Sequence, residues 1–470
     1  MGDLSLFLPE LMVLAAALVA FVGSIAAPGY RLVWALTTLI SLGAVVVTAL
    51  MLGAVGEPFF PGMYRVDLFS QLLKLGLTVG LFLTLLVSDT LPSVRRVGRL
   101  DLPMFLAFGT LGMMMLVSAT ELLTLYVMLE LSAYALYVIA VMHRDQRLGS
   151  EGGAKYLLFG ATASAVTLYG LSFVFGATGT TQLAELSAAA PTPLLILGVV
   201  LALAGLFFKL AVLPFHAWAP DTYQAAPHQA ATFIGTASKV AAIGVIARVL
   251  TLGHQAPELK TLLVVLAVAS MTIGNLAALK QTDLKRLLAW STVAHAGYVL
   301  LGLMTLSELG MAAAIFYGLV YLVLAFSAFV AVCSVGGDGH NPTLASLAGL
   351  YRRAPLIGVL LLAGLFGLAG VPPTPGFTGK WFLFSAAMED GHFWVVLIGA
   401  VNATISLYYY LKVVKAAYQT TPDELAPLPV SASYKLAAWS ALALVAFIGF
   451  YPGPLWALAQ GAAKALLAGP

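Results

Sequence analysis

The stretch of sequence that decides the fold runs from residue 193 to residue 220 and reads PLLILGVVLALAGLFFKLAVLPFHAWAP. Its first half is apolar enough to cross a membrane as a helix, but it leads into Lys209, Pro214 and Pro220. Proline interrupts a helix because it lacks the backbone N–H. The stretch therefore predicts a transmembrane helix that is broken part-way, which lipid tolerates only where protein or water satisfies the free backbone groups.

The composition of the whole chain supports a membrane protein. Of its 470 residues, 61% are hydrophobic and 9% are charged, whereas a soluble domain has about 25% charged residues. The net charge of +3 is spread over loops and forms no basic patch, so nucleic acid is not expected as a partner. A single cysteine can neither close an internal disulfide nor hold an iron–sulfur cluster. We expect no cofactor or metal site in this chain.

Apolar windows predict an all-α polytopic membrane protein with about fourteen transmembrane helices, because one span needs about 20 apolar residues. The spans are expected near residues 4–26, 31–53, 68–89, 103–119, 121–142, 151–176, 193–212, 228–250, 261–279, 284–305, 308–333, 355–370 continuing to 377–390, 392–417 and 435–458.

Basic residues in the loops predict the orientation. The odd-numbered loops contain most of them: Arg31, Arg95, Arg96, Arg99, Arg144, Arg147, Lys280, Lys285, Arg286, Arg352, Arg353, Lys412, Lys415 and Lys435. The even-numbered loops contain Arg65, Arg248 and Lys260. Cytoplasmic loops are enriched in lysine and arginine, so both termini are expected on the outer side of the membrane.

A second stretch, residues 355–390, repeats the features of the first. Its segment 362–366 reads LAGLF, as does segment 203–207, which gives an offset of 159 residues (362 minus 203). The second copy is broken by Pro372 and Pro373. The same offset relates the span that starts near 103 to the span near 261.

This offset predicts two repeats of five helices, each with one broken helix. Because five is odd, the second repeat enters the membrane from the opposite side, so the repeats are inverted. The predicted organisation is three N-terminal helices in 1–102, the first repeat in 103–250, the second in 251–418 and a C-terminal helix in 419–470.

Five charged residues fall inside or at the edge of predicted spans: Glu130, Lys155, Lys209, Lys239 and Lys380. A charge at the bilayer centre costs at least ~2.5–3.5 kcal/mol on insertion scales. Lysines withdrawn from water can release protons near neutral pH, which suits them to a proton relay. The alternative is a set of structural ion pairs, and for Lys155 a side chain that extends to the membrane surface.

Two histidines complete the predicted pathway. His216 lies in the first break and His295 in the middle of a span, and histidine titrates near physiological pH. We expect them to bridge the lysines, although a buried histidine often has only a structural role. Glu130 and Lys155 flank one loop and are expected to meet. Lys74, about two turns into its span, is interpreted as reaching the outer surface.

Several motifs containing these residues resemble a known family. They are Leu129-Glu-Leu131, Ala154-Lys-Tyr156, Pro214-Phe-His-Ala-Trp-Ala-Pro-Asp-Thr-Tyr223, Ala237-Ser-Lys239, Gln281-Thr-Asp-Leu-Lys-Arg-Leu-Leu288, Ala294-His-Ala-Gly-Tyr298 and Gly370-Val-Pro-Pro-Thr-Pro-Gly-Phe377. They are similar to motifs of the antiporter-like membrane subunits of proton-pumping NADH:quinone oxidoreductase, respiratory complex I. The segment Gly176-Ala-Thr-Gly-Thr-Thr181 and a lysine at 380 resemble the subunit N branch, since subunit M is expected to carry glutamate there.

The resemblance implies a function and residue roles. It implies a subunit of the bacterial inner membrane that translocates protons while electrons pass from NADH to quinone elsewhere in the complex. FMN and iron–sulfur clusters are then expected in partner subunits, and the partners include subunit M, the small subunit K and the lateral helix of subunit L. By the same resemblance, Glu130 and Lys155 form the coupling pair, Lys209 and Lys239 the central relay, and Lys380 the exit, with His216 and His295 bridging.

Three alternatives stay open at the level of sequence. One is a subunit of a stand-alone multi-subunit cation/proton antiporter, which shares these motifs. Another is a non-pumping spacer in the same complex. The last is the equivalent subunit of a related enzyme with a different electron donor, such as ferredoxin or a deazaflavin.

Overall fold

The computed structural model describes residues 4–26, 29–56, 61–95, 98–143, 146–253, 256–419 and 426–468. Arg96 and Arg144, which contribute to the predicted orientation, lie outside the described residues.

The described residues form α-helices joined by short loops, with isolated β-bridges between some loops. The helices are α1 (Leu8–Ala26), α2 (Tyr30–Leu50), α3 (Leu68–Leu86), α4 (Asp101–Ser118), α5 (Leu122–Ala140), α6 (Gln146–Thr178), α7 (Leu183–Ser187), α8 (Pro193–Leu210), α9 (Trp218–Ala225), α10 (His228–Gly235), α11 (Ala237–Leu250), α12 (Pro257–Ala278), α13 (Leu284–Leu303), α14 (Glu308–Val335), α15 (Leu350–Arg353), α16 (Pro355–Ala369), α17 (Pro375–Glu389), α18 (Phe393–Tyr418), α19 (Ala432–Phe450) and α20 (Gly453–Leu467).

The predicted all-α polytopic membrane fold is confirmed. Within the described residues, 12 helices are long and apolar enough to cross a membrane, or 13 if a bent pair ending in α16 counts as one span. The remaining predicted span corresponds to α13. It has 20 residues, but Lys285, Arg286 and His295 make it more polar than a lipid-facing helix. Nearly all of α13 is buried, so protein rather than lipid surrounds these side chains.

Two elements form the centre of the bundle. The membrane-spanning windows of α14 and of the combined α10–α11 segment are completely buried inside the protein. Helices nearer the periphery, such as α6, α18 and α19, have about one third of their windows buried and present the rest to lipid. A polar side chain on α11 or α14 therefore has protein on every side.

Both predicted breaks are present, and their backbones match. Helix α8 ends at Leu210 and α9 follows after seven residues of turn; α16 ends at Ala369, shortly before α17. The residue after each first half is left-handed, Ala211 with φ 67° and Gly370 with φ 88°.

The same closing hydrogen bond ends both first halves. The backbone N–H of Val212 donates to the oxygen of Phe207 at 2.9 Å, and that of Val371 donates to the oxygen of Phe366 at 3.0 Å. These pairs are again 159 residues apart (371 minus 212), as the repeated sequence predicts. Inversion of the two repeats and the boundaries at 103–250 and 251–418 stay predictions.

The span predicted at 228–250 contains an unpredicted interruption. Helix α10 ends at Gly235, and Thr236 adopts φ −122° and ψ −83° before α11 begins. Lys239 therefore lies in the first turn of α11 instead of in the middle of one continuous helix.

Candidate functional site

Lys209 forms the first part of the site at the end of α8. It is 4% exposed, and its Nζ donates to the hydroxyl of Ser132 on α5 at 2.8 Å. Glu130 lies two residues before Ser132 on α5 and accepts a hydrogen bond from Ser164 of α6 at 2.6 Å. Glu130 and Lys209 line one cavity of about 10 Å³, which is about the space that one water molecule needs.

Lys239 contacts the same helix end from the other side. Its Nζ donates to the backbone oxygen of Lys209 at 2.7 Å and lies 4.9 Å from the ring centroid of Trp218. The last carbonyls of a helix have no intrahelical partner and form the negative end of its dipole. The ammonium group of Lys239 therefore caps the broken end of α8.

Lys380 has the equivalent position at the second break. Its Nζ donates to the backbone oxygens of Leu368 and Ala369, each at 2.9 Å, and lies 4.6 Å from the ring centroid of Tyr298. It is 4% exposed. Each interrupted helix thus ends on a buried lysine, supplied by α11 at the first break and by α17 at the second.

His295 lies among hydroxyl groups in the second half of the site. Its Nδ1 is 2.7 Å from the hydroxyl of Tyr317, and its Nε2 is 3.0 Å from the hydroxyl of Tyr410. The hydroxyl of Tyr410 also bonds Ser291. The ring of His295 packs against that of Tyr298, and the Nζ of Lys380 lies over the same Tyr298 ring. His295 and Lys380 are therefore connected through one aromatic side chain.

Further hydroxyl groups extend this cluster toward the first half. Thr292 lies 2.8 Å from the hydroxyl of Tyr321, and Tyr321 packs on His295. Tyr223 of α9 has a buried hydroxyl that faces Thr292 and packs against Trp218, the residue under Lys239. Sequence reasoning missed these residues. The spacing of Ser291, Thr292 and His295 on one helical face was the available signal.

Lys155 has different partners from those predicted. Its Nζ lies 2.7 Å from Asp221 and 3.0 Å from Glu151, and Asp221 also binds Arg286 at 2.6 Å. The predicted pairing of Lys155 with Glu130 is wrong. Ser164, the partner of Glu130, is nine residues further along α6 (164 minus 155), which is about 14 Å of helix.

His216 is also placed differently from the prediction. Its ring packs 5.3 Å from that of Trp290, and its buried Nδ1 has no hydrogen-bond partner among the described residues. The described part of the chain shows no contact from His216 to Lys209 or Lys239. The two lysines meet directly, through the carbonyl of Lys209.

The interpretation of Lys74 as a surface-reaching side chain is wrong. Lys74 is fully buried, and its Nζ lies 2.8 Å from Glu10 of α1 and 3.0 Å from the hydroxyl of Tyr64. Tyr64 donates to the same carboxylate. These contacts with Glu10 and Tyr64 hold the lysine inside the protein, away from the membrane surface.

The fold and the site together define a polytopic helical membrane protein with two lysine-capped helix breaks. A family model described as NADH:quinone oxidoreductase/Mrp antiporter, transmembrane, matches residues 119–406. NADH-quinone oxidoreductase subunit N 2 of Syntrophobacter fumaroxidans is 48% identical, over 87% of this chain and 88% of that protein. The protein of the same name from Solidesulfovibrio magneticus is 42% identical over 98% of both chains.

Solved structures of related complexes contain chains with the same fold. A chain of respiratory complex I from Thermus thermophilus with bound aureothin superimposes with a TM-score of 0.84 at 33% identity, covering 96% of this chain and 100% of that one. A chain of the Mrp complex from Dietzia sp. has a TM-score of 0.89 at 21% identity, covering 99% and 98%, and shows likeness of fold alone.

The chain belongs to the family of antiporter-like membrane subunits of NADH:quinone oxidoreductase, in its subunit N branch. The resemblance predicted from the motifs is confirmed. So is the predicted class of function, a proton-translocating membrane subunit. The residues that carry the protons stay a prediction.

Proposed function

We propose that the buried groups of the site form the proton pathway of this chain, from Glu130 and Lys209 through Lys239 to His295 and Lys380. The observation that carries the proposal is the hydrogen bond from Lys239 to the carbonyl of Lys209. It places the Nζ of Lys239 on the backbone of Lys209 at the first helix break, deep in a bundle whose central helices are fully enclosed.

The chemistry of these contacts suits a mobile proton. Buried lysines lose hydration, which disfavours their charged form, while helix-end carbonyls favour it. Lys209 and Lys239 also repel each other when both are charged, so loss of a proton from one stabilises the other. A small change in the field near Glu130 therefore changes which amine holds the proton.

A hydroxyl route leads from the first half to the second. Hydroxyl groups both donate and accept hydrogen bonds, so they can pass a proton without holding a charge. Tyr223, Thr292 and Tyr321 lie between the Trp218 contact of Lys239 and the ring of His295. Lys380 follows through Tyr298 and is proposed as the exit group.

Electrostatic control is large enough for this purpose. Moving one charge against ~150 mV costs about 3.5 kcal/mol, and each pKa unit corresponds to 1.36 kcal/mol. We propose that the Lys155, Asp221 and Arg286 network supplies the coupling, because it joins α6, α9 and α13. His216 is close in sequence to Asp221, and we propose that it connects this network with water.

We further propose the surroundings of this chain. Subunits M and K and the lateral helix of subunit L are proposed as partners within the bilayer, and FMN and iron–sulfur clusters belong to other subunits. The excess of arginine and lysine in odd-numbered loops supports a bacterial inner-membrane protein with both termini outside.

Replacement of Lys239 by alanine in the assembled complex tests the pathway. We expect NADH-driven proton uptake into reconstituted vesicles to fall by most of its value, because the link between the two halves is lost. Lys260→Ala is the matched control, since Lys260 binds Asp390 at a partly exposed site away from the breaks. Full pumping by an assembled Lys239→Ala complex would refute the relay.

Co-purification of the tagged chain separates the oxidoreductase from the antiporter alternative. Recovery with subunits that oxidise NADH and reduce quinone is the expected result, given the identity to the subunit N relatives. Recovery only with other antiporter-type membrane subunits would instead support a stand-alone antiporter.

A further inference from the structure

A cavity unrelated to the lysines lies at one end of the bundle. It has a volume of about 790 Å³, is partly open, and is lined by residues at the start of α2, in the segments that join α3 to α4, at the end of α14 and at the start of α19. Its wall contains Tyr30, Asp89 and Arg99. All these elements begin or end here, so the cavity lies at the level where the helices leave the membrane.

One buried atom on a basic and one on an acidic side chain of this cavity lack a hydrogen-bond partner among the described residues. The Nε of Arg99 and the Oδ1 of Asp89 are buried, and neither has a hydrogen-bond partner among the described residues. Arg31 adds a second guanidinium group to the wall. Buried polar atoms in proteins are nearly always hydrogen-bonded, so an open donor on Arg99 and an open acceptor on Asp89 in one cavity indicate a ligand that satisfies both.

The apolar part of the wall consists of Leu91, Pro92 and Val430, and Thr90, Ser334 and Ser431 add hydroxyl groups. Beyond Tyr30, Leu32 and Leu36 are exposed along α2 and line a separate apolar groove against α1. A ligand with a charged head and a hydrocarbon tail can therefore bind its head inside and leave its tail in the bilayer.

We propose that this cavity binds a phospholipid whose headgroup carries a phosphate and a primary ammonium, such as phosphatidylethanolamine. The phosphate contacts the guanidinium groups of Arg99 and Arg31, which suit phosphate because they donate several hydrogen bonds in one plane. The ammonium donates to Asp89. The glycerol backbone and the upper acyl chain pack on the apolar wall. The volume lies in the usual range of small-molecule sites.

The headgroup chemistry excludes two common competitors. An anionic lipid such as phosphatidylglycerol satisfies the arginines but leaves Asp89 without a donor. Phosphatidylcholine has the same charges, but its trimethylated ammonium has no N–H to donate to Asp89. The site therefore predicts a preference for the primary amine over both.

Lipid exchange on the intact complex tests this preference. The purified complex is equilibrated with nanodiscs of phosphatidylethanolamine, phosphatidylcholine or phosphatidylglycerol in equal amounts, and lipids retained by this subunit are counted by native mass spectrometry. We expect one phosphatidylethanolamine per chain, retained roughly tenfold over phosphatidylcholine. Equal retention of all three lipids, or retention of the anionic lipid alone, would overturn the proposal. Glycerophosphoethanolamine, which lacks acyl chains, is expected to compete weakly; strong competition would identify a soluble ligand instead.

Two substitutions assign the contacts. Asp89→Asn is expected to remove the preference for phosphatidylethanolamine over phosphatidylcholine while keeping phosphate binding, and Arg99→Gln is expected to remove retention of both. Lys464→Gln, which changes an exposed lysine outside the cavity, serves as the control. If either cavity variant fails to assemble, the wild-type exchange alone still decides, because the headgroup preference needs no substitution. An unchanged preference in an assembled Asp89→Asn complex would contradict the proposed ammonium contact.

Discussion

Two groups of buried lysines in this protein differ in what neutralises them. Lys74 is bound to the carboxylate of Glu10 and to Tyr64, all fully enclosed. Lys239 and Lys380 contact backbone carbonyls and an aromatic face, with no carboxylate bound to them among the described residues. A full counter-charge holds a proton on lysine, whereas neutral dipoles allow it to leave. The same residue type is therefore a structural tie in one region and our proposed proton carrier in the other.

The largest effect on stability is expected from breaking the ion pair between Lys74 and Glu10. Lys74→Ala leaves the Glu10 carboxylate buried without its cation, which typically costs 3–5 kcal/mol. We expect little of this variant in the assembled complex and a clearly lower thermal inactivation temperature. The double variant Glu10→Leu with Lys74→Met should recover much of the loss, because no buried charge remains. Normal assembly of Lys74→Ala would remove the structural half of the comparison.

Lys380→Ala tests the lysines that contact backbone carbonyls instead of a carboxylate. It leaves two carbonyls without a donor, which costs roughly 1–3 kcal/mol, so the complex should still assemble. We expect proton pumping to fall strongly while electron transfer from NADH to quinone continues, since we place FMN and the iron–sulfur clusters in other subunits by proposal. Lys380→Arg keeps the charge but cannot release a proton, and it should fail to restore pumping. Restored pumping with arginine would mean that Lys380 acts only as a fixed charge.

Tyr410→Phe sharpens the comparison within the hydroxyl cluster. It removes the hydroxyl that contacts His295 at 3.0 Å, and we expect a several-fold slower pumping rate with about 1 kcal/mol lost in stability. Tyr409→Phe is the control, because the hydroxyl of Tyr409 donates to Asn275 instead. Equal pumping losses in the two variants would show a packing effect rather than a role for the His295 contact.

The smallest effect concerns a carboxylate held by hydrogen bonds instead of a counter-ion. Burial by itself raises the pKa of Glu121 at the start of α5, but hydrogen bonds from Thr124 and neighbouring groups outweigh it and hold the pKa below its ordinary 4.5. A lowered carboxyl pKa stabilises the fold above pH 4.5 and loses this contribution as the pH falls through the lowered pKa. Glu121→Gln should therefore cost ~1 kcal/mol near pH 7 and progressively less in acid. Thermal inactivation of the variant and of the wild type, measured near pH 7 and in acid, gives this cost. A difference that does not change with pH would contradict the assignment.

Much of the fold was predictable because the membrane constrains sequence locally. A span requires a run of apolar residues, and the break at Pro214 follows from proline itself. The repeated LAGLF segments correctly indicated matching backbones at both breaks. The span containing α13 was predicted, although its polar residues are explained only by its burial. The interruption at Thr236 was not predicted, because no proline marks it and the glycine before it, Gly235, is one of 45 glycines in the chain.

The candidate site was predictable in part, since a charge among apolar residues is conspicuous in any sequence. Lys209, Lys239 and Lys380 were singled out for this reason, and they lie at the two breaks. Their partners were not predictable from spacing. Lys239 contacts a carbonyl 30 residues away, and His295 contacts a hydroxyl 115 residues away.

The sequence by itself determined the class of protein, the approximate spans, the two interruptions and the presence of buried charge. These depend on the cost of placing polar groups in lipid, which acts on each segment separately. Only the tertiary structure decided that Lys155 binds Asp221, that Lys74 binds Glu10, and that Lys239 donates a hydrogen bond to a backbone carbonyl. Such pairings depend on which helix faces are brought together, and every helix of this bundle has several apolar faces that satisfy the membrane equally well.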